Sequence, residues 1–107
     1  MGSMEAKSQK GHRKRLRGRF NQSGLAGFLD YEIVELLLTL GTPRRDCKPQ
    51  AKEAINRFKT LRSVLEAPPE ELRKIKGITD HNIFVIKFMQ EIAREFLKEQ
   101  VLDKPYC

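Results

Sequence analysis

Residues 72–86 read Leu-Arg-Lys-Ile-Lys-Gly-Ile-Thr-Asp-His-Asn-Ile-Phe-Val-Ile. Leu72 and Ile75 are one helical step apart, and Ile83 and Ile86 resume the same spacing beyond Gly77. Because glycine interrupts a helix and permits a tight turn, this stretch predicts a short helix, a turn and a second helix. The spacing of its apolar residues therefore decides how the C-terminal half of the chain folds.

This pattern resembles the helix-hairpin-helix motif, whose members commonly hold nucleic-acid phosphates with backbone amides of the turn. Thr79 stands where a second glycine would let the backbone approach a phosphate closely. Asp80 places a carboxylate at a helix N-terminus, where it repels an anion, and Ile83 replaces a small residue. A structural hairpin is therefore favoured, and direct phosphate contact remains the alternative. The candidate contacts are Lys74, Lys76, Gly77, Thr79, His81 and Lys87.

Helical spacing continues on both sides of the hairpin. Asp30 is a suitable N-cap for a helix whose apolar residues at 33–40 are broad enough to make it the buried centre. Leu40 belongs to its predicted buried face, and Gly41 ends the helix. Pro49 fits the first turn of the next helix. No alternating strand pattern occurs, so the sequence predicts an all-α protein, a compact bundle of five to six helices.

The chain has 107 residues, enough for one small domain. We expect a disordered basic tail at 1–10, one helical domain at 11–102 with the hairpin at 70–97, and a frayed C-terminus at 103–107. No apolar run approaches the roughly 18 residues of a membrane span, and no signal peptide is recognisable. We therefore expect a cytoplasmic protein with no membrane partner and with free thiols at its two cysteines.

The net charge of +7 is concentrated near the N-terminus. Residues 7–19 hold seven Lys and Arg and no acid, and the other 14 bases match the 14 acids of the chain. This asymmetry points to an anionic partner, with nucleic acid the first choice. A helix from about Gly11 to Phe20, with Leu16 and Phe20 on its apolar stripe, is either a solvated end helix or a phosphate-contacting one. The predicted phosphate contacts are Arg13, Lys14, Arg15, Arg17 and Arg19, with a secondary basic patch at Arg44, Arg45 and Lys48.

The sequence gives little support for catalysis. His12 and His81 are the only histidines, and neither has a second ligand at a spacing typical of zinc sites. Cys47 follows Asp46 near a helix start, where the pKa of a thiol can be lowered, but a lone thiol there more often serves packing. No phosphate-binding loop, nucleophile elbow or metalloprotease motif is present. We predict a protein that is not an enzyme and has no cofactor, no metal and no small-molecule substrate.

Several blocks in unbroken order resemble the N-terminal helical domain of the RadC family. They are Gly11-His12-Arg13-Lys14-Arg15-Leu16-Arg17, Asp30-Tyr31-Glu32-Ile33-Val34-Glu35-Leu36-Leu37-Leu38, Pro43-Arg44-Arg45-Asp46-Cys47-Lys48-Pro49, and Val64-Leu65-Glu66-Ala67-Pro68-Pro69-Glu70-Glu71-Leu72. The hairpin follows at the expected place. In that family a JAB/MPN-type domain resembling a metal-dependent protease usually comes next, and its ligands are not part of this sequence. The resemblance implies a helical domain that is traditionally linked to DNA repair.

Two functions follow from these observations. The first is a non-catalytic DNA-binding module that contacts the phosphate backbone independently of sequence, linked to DNA repair through the resemblance. The alternative is a protein-interaction module that positions a JAB/MPN-type metalloprotease-like or other partner. The alternative predicts an exposed apolar patch on the last helix, at Phe84, Phe88 or Phe96.

Overall fold

The computed structural model describes the backbone of residues 2–42 and 46–103 and the side chains of residues 11–42 and 46–101. Over these residues the chain forms six helices and no strand, which confirms the all-α prediction. The helices are α1 (Gly2–Ser23), α2 (Asp30–Thr39), α3 (Lys48–Phe58), α4 (Leu61–Glu66), α5 (Pro69–Arg73) and α6 (Asp80–Asp103).

Helix α2 is the centre of the bundle, since it contacts α1, α3, α4 and α6. Val34 and Leu38 lie four residues apart on its inner face and are fully buried. Leu40, expected on this face, is instead 54% exposed. The prediction was wrong there because the helix ends at Thr39 and its inner face includes the polar residues Glu35 and Thr39, which are both buried.

The start of α2 also differs from the prediction. Leu29, rather than Asp30, occupies the N-cap position, and its backbone N–H donates to the carboxylate of Glu32 at 3.0 Å. Asp30 is the first residue of the helix, and its carboxylate accepts the backbone N–H of Leu61 at 3.1 Å. Asp30 therefore connects α2 to the beginning of α4 instead of capping its own helix.

The hydrophobic core lies between α2, α3 and the hairpin. Ala51 and Ala54 let α3 approach α2 closely, and both are completely buried. Burying a leucine or isoleucine side chain contributes about 1.5 to 3 kcal/mol to the stability of the fold. The apolar residues of the hairpin therefore stabilise its packing against the rest of the protein. Those buried residues are Leu72, Ile75, Ile78, Ile83 and Ile86.

The first and last helices are long. Helix α1 begins earlier than predicted, and α6 continues past the part of it that packs on the core. Helix α1 begins at Gly2, whereas we expected a disordered tail through residue 10; no proline interrupts 2–10, so the sequence contains no strong stop signal before Gly11. Leu16 and Phe20 were predicted to lie on one apolar stripe of this helix. Leu16 is buried, but Phe20 is 45% exposed and lies outside the core. Helix α6 ends at Asp103, close to the predicted Leu102.

Residues 91–101 of α6 are all exposed, so this part of the helix projects from the bundle. At 1.5 Å per residue it is roughly 16 Å long. In the part of the chain that the structure describes, no helix is both long enough and apolar enough to cross a membrane. Of the predicted frayed end, residues 104–107 lie outside the described residues.

Candidate functional site

The turn between α5 and α6 is built around Gly77. Its backbone has φ +94°, a conformation that side chains with a Cβ rarely adopt. A Cβ on this residue would lie only 2.2 Å from Nε2 of Gln50 in α3. Glycine is therefore required twice, once for the backbone angle and once for the close approach of α3.

Thr79 immediately precedes α6 and caps its N-terminus. Its hydroxyl oxygen accepts the backbone N–H of Asn82 at 3.2 Å, and Oδ1 of Asn82 accepts the backbone N–H of Thr79 at 2.9 Å. This reciprocal arrangement matches a capping box with asparagine in place of glutamate. The amide of Thr79 is thus engaged within the protein instead of being available to a phosphate.

Asn82 is a buried residue that our sequence analysis did not identify. It is 1% exposed, and its side-chain nitrogen donates to the carbonyl oxygen of Leu38 at 3.0 Å and to the hydroxyl of Thr42 at 2.8 Å. The Thr-x-x-Asn spacing at the start of α6 was the available signal. Asn82 holds the start of α6 against the end of α2.

Of the basic side chains predicted as phosphate contacts in the hairpin, two contact other groups of the protein and two are exposed beside the turn. Lys74 forms an ion pair with Glu71 at 3.0 Å. Lys87 donates to the carbonyl oxygen of Leu65 at 2.9 Å, and burial lowers its pKa. Lys76 and His81 are exposed beside the turn.

A further cation near the turn, Arg73, donates to the carboxylate of Asp80 at 3.1 Å. Asp80 therefore neutralises the guanidinium of the preceding helix and also places a carboxylate at the N-terminus of α6. This arrangement reduces the attraction that the turn can offer to an anion.

Two of the five bases predicted as phosphate contacts in α1 contact other parts of the protein. Arg13 donates to the carbonyl oxygen of Thr42 and approaches the sulfur of Cys47 at 3.8 Å. Arg19 pairs with Glu32 at 2.9 Å and lies over the ring of Phe28, 4.4 Å from its centroid. These contacts join α1 to α2 and to the segments on either side of α2.

Lys14, Arg15 and Arg17 are exposed on the outer side of α1. At 100° per residue, Lys14 lies about 160° around the helix from the buried Leu16, and Arg15 and Arg17 lie about 100° from it on either side. Of the secondary basic patch, Arg44 and Arg45 lie outside the described residues. Lys48 is half-buried at the first position of α3, where its backbone N–H donates to Asp46 at 3.1 Å.

A buried carboxylate links α1 to α2. Oε2 of Glu35, a residue only 2% exposed, lies 2.9 Å from Nε2 of His12, although the ring nitrogen is not aligned for a hydrogen bond. The sequence offered no clear signal for this pair, because Glu35 interrupts an apolar run and resembles an ordinary surface residue. This contact lies on the same side of α1 as the buried Leu16, at the junction of α1 with α2.

Cys47 is not an activated thiol. It is 5% exposed, and burial raises the pKa of its thiol despite the nearby guanidinium of Arg13. The possible lowering of this pKa that its place at a helix start suggested is therefore not found. Among the described residues, no cluster of three or more His, Cys, Asp or Glu side chains is arranged to hold a metal ion.

The last helix presents an apolar face to solvent. Phe84, Phe88 and Phe96 are 65%, 53% and 62% exposed, and Ile92 continues the same row. The rings of Phe84 and Phe88 are stacked, with centroids 5.6 Å apart. Single exposed apolar residues are ordinary on protein surfaces, whereas these four form a continuous row along the helix.

Comparison with known proteins gives a family match over most of the chain. The family model described as UPF0758 N-terminal matches residues 9–84. UPF0758 protein FN0909 of Fusobacterium nucleatum subsp. nucleatum is 41% identical over 101 residues, which cover 94% of this chain and 44% of the relative. UPF0758 protein SPO0054 of Ruegeria pomeroyi is 38% identical over 93 residues, which cover 87% of this chain and 42% of the relative. A UPF0758 protein of Rhodobacter capsulatus is 33% identical over 90 residues, which cover 84% and 42% of the two chains.

The chain thus spans less than half the length of these curated relatives. No solved structure matches it. The family match ends at Phe84, where the exposed apolar row of α6 begins.

Proposed function

The chain belongs to the UPF0758 N-terminal family, and we propose that it is a non-catalytic module that binds the phosphate backbone of DNA independently of sequence. The observation that supports this proposal best is the exposed basic side of α1, formed by Lys14, Arg15 and Arg17. These residues belong to the segment that holds the entire charge excess of the chain. Phosphate contacts by lysine and arginine position a protein on DNA without reading bases.

In this proposal the hairpin is chiefly a scaffold. The amide of Thr79 already binds Asn82, and the carboxylate of Asp80 faces a guanidinium of α5. Lys76 and His81 are exposed and can add weak attraction near the turn. Arg13 and Arg19 orient α1, so the main electrostatic contribution comes from its outer side.

Fluorescence anisotropy with a labelled duplex over a salt series tests the proposal. If the three exposed bases of α1 and up to two bases near the turn each neutralise one phosphate, the logarithm of the binding constant should fall with the logarithm of salt concentration with a slope of roughly −2.7 to −4.5. Absence of binding at about 50 mM salt would exclude the proposal.

The triple variant Lys14→Gln/Arg15→Gln/Arg17→Gln should bind more weakly and reduce the steepness of this slope by about 2.7. A matched control removes three exposed bases elsewhere, through Lys52→Gln/Lys59→Gln/Arg62→Gln. Equal losses in the two variants would show that net charge, rather than the α1 surface, determines binding.

The scaffold role of the hairpin has its own test, the double variant Thr79→Gly/Asp80→Pro, which introduces the second glycine of the motif and removes the carboxylate at the start of α6. Unchanged DNA affinity supports a scaffold. A several-fold increase would show that the turn faces the phosphates. Circular dichroism is needed alongside, because Thr79→Gly weakens the cap of α6.

A second candidate function, a protein-interaction module, is favoured by the exposed phenylalanines of α6. The resemblance to the RadC family makes a JAB/MPN-type domain one partner of this kind, and the relatives of this chain are more than twice as long as the part that it spans. An uncovered apolar face should bind 1-anilinonaphthalene-8-sulfonate when the chain is dilute. Phe88→Ser should reduce that fluorescence, whereas Phe20→Ser, on α1, should not. Equal fluorescence from all three proteins would contradict a binding role for α6.

A further inference from the structure

We infer that the exposed apolar face of α6 pairs with the same face of a second copy of this chain, with the two helices running in the same direction. The inference rests on the proposed interaction role of α6 and specifies the partner. It is supported by the arrangement of apolar and charged residues around this helix.

Apolar residues fill two neighbouring rows of α6. In a helix, residues four apart form a ridge, and successive ridges lie side by side. One ridge begins at Phe84 and the next at Val85, and neither contains a charged residue up to position 101. The members of the first are Phe84, Phe88, Ile92 and Phe96; those of the second are Val85, Met89, Ala93, Leu97 and Val101. Two adjacent apolar ridges suit packing against another helix at a crossing angle of about −50°.

Charges of opposite sign border this face on its two sides. From residue 91 onward, the ridge beside Phe88 carries Glu91, Glu95 and Glu99, whereas the ridge beside Met89 carries Arg94 and Lys98. Lys87 precedes Glu91 in the first of these ridges and donates to the carbonyl oxygen of Leu65. All five charged residues from 91 onward are exposed, and Arg94 also donates to the carboxylate of Glu91 within the same helix at 3.2 Å. Glu95, Glu99 and Lys98 are therefore the border charges that carry the argument. The face therefore has one acidic border and one basic border.

Symmetry determines which borders meet in a pair. When a two-fold axis runs along the helices, so that they point the same way, the acidic border of each copy faces the basic border of the other. When the axis lies across the helices in the interface plane, they point in opposite ways and like charges face each other. Opposite charges attract across an interface and like charges disfavour the pairing. The charge pattern therefore selects helices that run in the same direction.

The bundle leaves this face accessible. Asn82, Ile83 and Ile86 attach α6 to the rest of the protein and are buried. At 100° per residue, the middle of this attachment lies about 170° around the helix from Phe84 and Phe88. A second copy can thus approach the phenylalanines without displacing the core, and the projecting residues 91–101 extend the contact.

Sedimentation equilibrium of the 107-residue chain tests the pairing. Between about 10 and 500 µM the mass should rise from that of a monomer to that of a dimer. Phe88→Ser should raise the dissociation constant at least about tenfold, because it removes an aromatic side chain from the centre of the interface. Phe20→Ser makes the same change on α1 and should leave the dissociation constant unaltered. A wild-type chain that stays monomeric throughout, or equal effects of both variants, would overturn the inference.

Charge exchange tests the direction of the helices. Glu91→Lys/Glu95→Lys makes both borders basic, and Arg94→Glu/Lys98→Glu makes both acidic. Each variant alone should be monomeric, and a 1:1 mixture should restore the dimer because every border then faces its opposite. A variant that dimerises alone as tightly as the wild type would overturn the same-direction arrangement, because like charges would then already face each other in the wild type. The 1:1 mixture pairs opposite charges in either direction, so its failure to dimerise would show that the two borders do not determine the pairing.

Dye binding separates failure of this inference from failure of the interaction role. A monomeric wild type that binds 1-anilinonaphthalene-8-sulfonate, with binding lost in Phe88→Ser, would overturn the second copy as partner but retain α6 as an interaction surface for another protein. A monomeric wild type without dye binding would overturn both.

Discussion

Gly77 is the position in the hairpin where a single added methyl group should lower the free energy of unfolding most. Gly77→Ala imposes φ near +94° on a residue with a Cβ and drives that Cβ against Gln50. We expect a loss of about 1 to 3 kcal/mol in the free energy of unfolding, measured by urea denaturation. Gln50→Ala in the same chain should recover part of the loss by removing the clash.

Gly18→Ala provides the matched control. Gly18 lies within α1, and no atom beyond its immediate neighbours lies within 4 Å of the position that its Cβ would take. The same substitution should therefore be neutral or stabilise by up to about 1 kcal/mol, because alanine favours the helix. A Gly77→Ala protein as stable as Gly18→Ala would contradict the account of the turn.

The contact between His12 and Glu35 gives a second prediction for single residues. His12→Ala should cost about 1 to 3 kcal/mol of unfolding free energy, since it leaves a buried carboxylate without its close partner. In a cycle with Glu35→Gln, the two changes should couple by at least about 0.5 kcal/mol. Additive effects would show that the 2.9 Å approach contributes nothing specific.

At the scale of residues, the sequence predicts what depends on near neighbours. Gly77 as a turn and Thr79 as an N-cap follow from local backbone chemistry. Glu35 and Asn82 do not, because their partners His12 and Thr42 are distant in the sequence and polar residues are ordinarily assigned to the surface. For the same reason, sequence alone could not separate Arg13 and Arg19, which contact the protein, from the exposed bases of α1.

Helix α2 depends on a carboxylate at its N-terminus, and this dependence should vary with pH. The hydrogen bond from Arg19 lowers the pKa of Glu32 below its ordinary value of 4.5. A carboxyl group with a lower pKa in the folded state contributes stability above its unfolded pKa and loses it as pH falls through the folded pKa. We therefore expect Glu32→Gln to be less stable than wild type at pH 7, and the difference to shrink as pH is lowered from about 5 to 3.

Urea denaturation at each pH measures this difference. Glu99→Gln, in the exposed part of α6, is a control that also removes one carboxylate but leaves the start of α2 intact. A gap between Glu32→Gln and wild type that stays constant across this pH range would contradict the role of the ionised carboxylate.

At the scale of elements, periodic apolar residues predicted where the helices lie in the sequence. They predicted less well where each helix ends and which of its faces is buried. In α3 the small apolar residues Ala51 and Ala54 are both completely buried and leave few alternatives for the inward face. In α2 the apolar residues surround most of the helix, so periodicity could not determine which face lies inward. Leu40 is exposed because α2 ends at Thr39, even though the leucine side chain is hydrophobic.

For the whole molecule, the described structure divides into a folded core and a projecting part of α6 that differs from it in burial. The buried core cluster contains residues from Val34 to Ile86 and none of residues 91–101. The sequence could not show this division, because the apolar period of α6 continues without a break past Ile86. An apolar face that no part of the described core covers is the physical basis of the inferred pairing.

Removing residues 93–107 tests this division. Because residues 93–101 are exposed, the shortened chain should keep the core folded, with an unfolding free energy within about 1 kcal/mol of the full chain when both are monomeric. DNA binding through α1 should persist with the same salt slope, whereas self-association should be lost because Phe96 and most of both charged borders are gone. Urea denaturation, anisotropy and sedimentation on one preparation measure the three properties. A loss of stability above about 2 kcal/mol would place part of the deleted helix in the core, and simultaneous loss of DNA binding would show that the proposed surfaces on α1 and α6 are not independent.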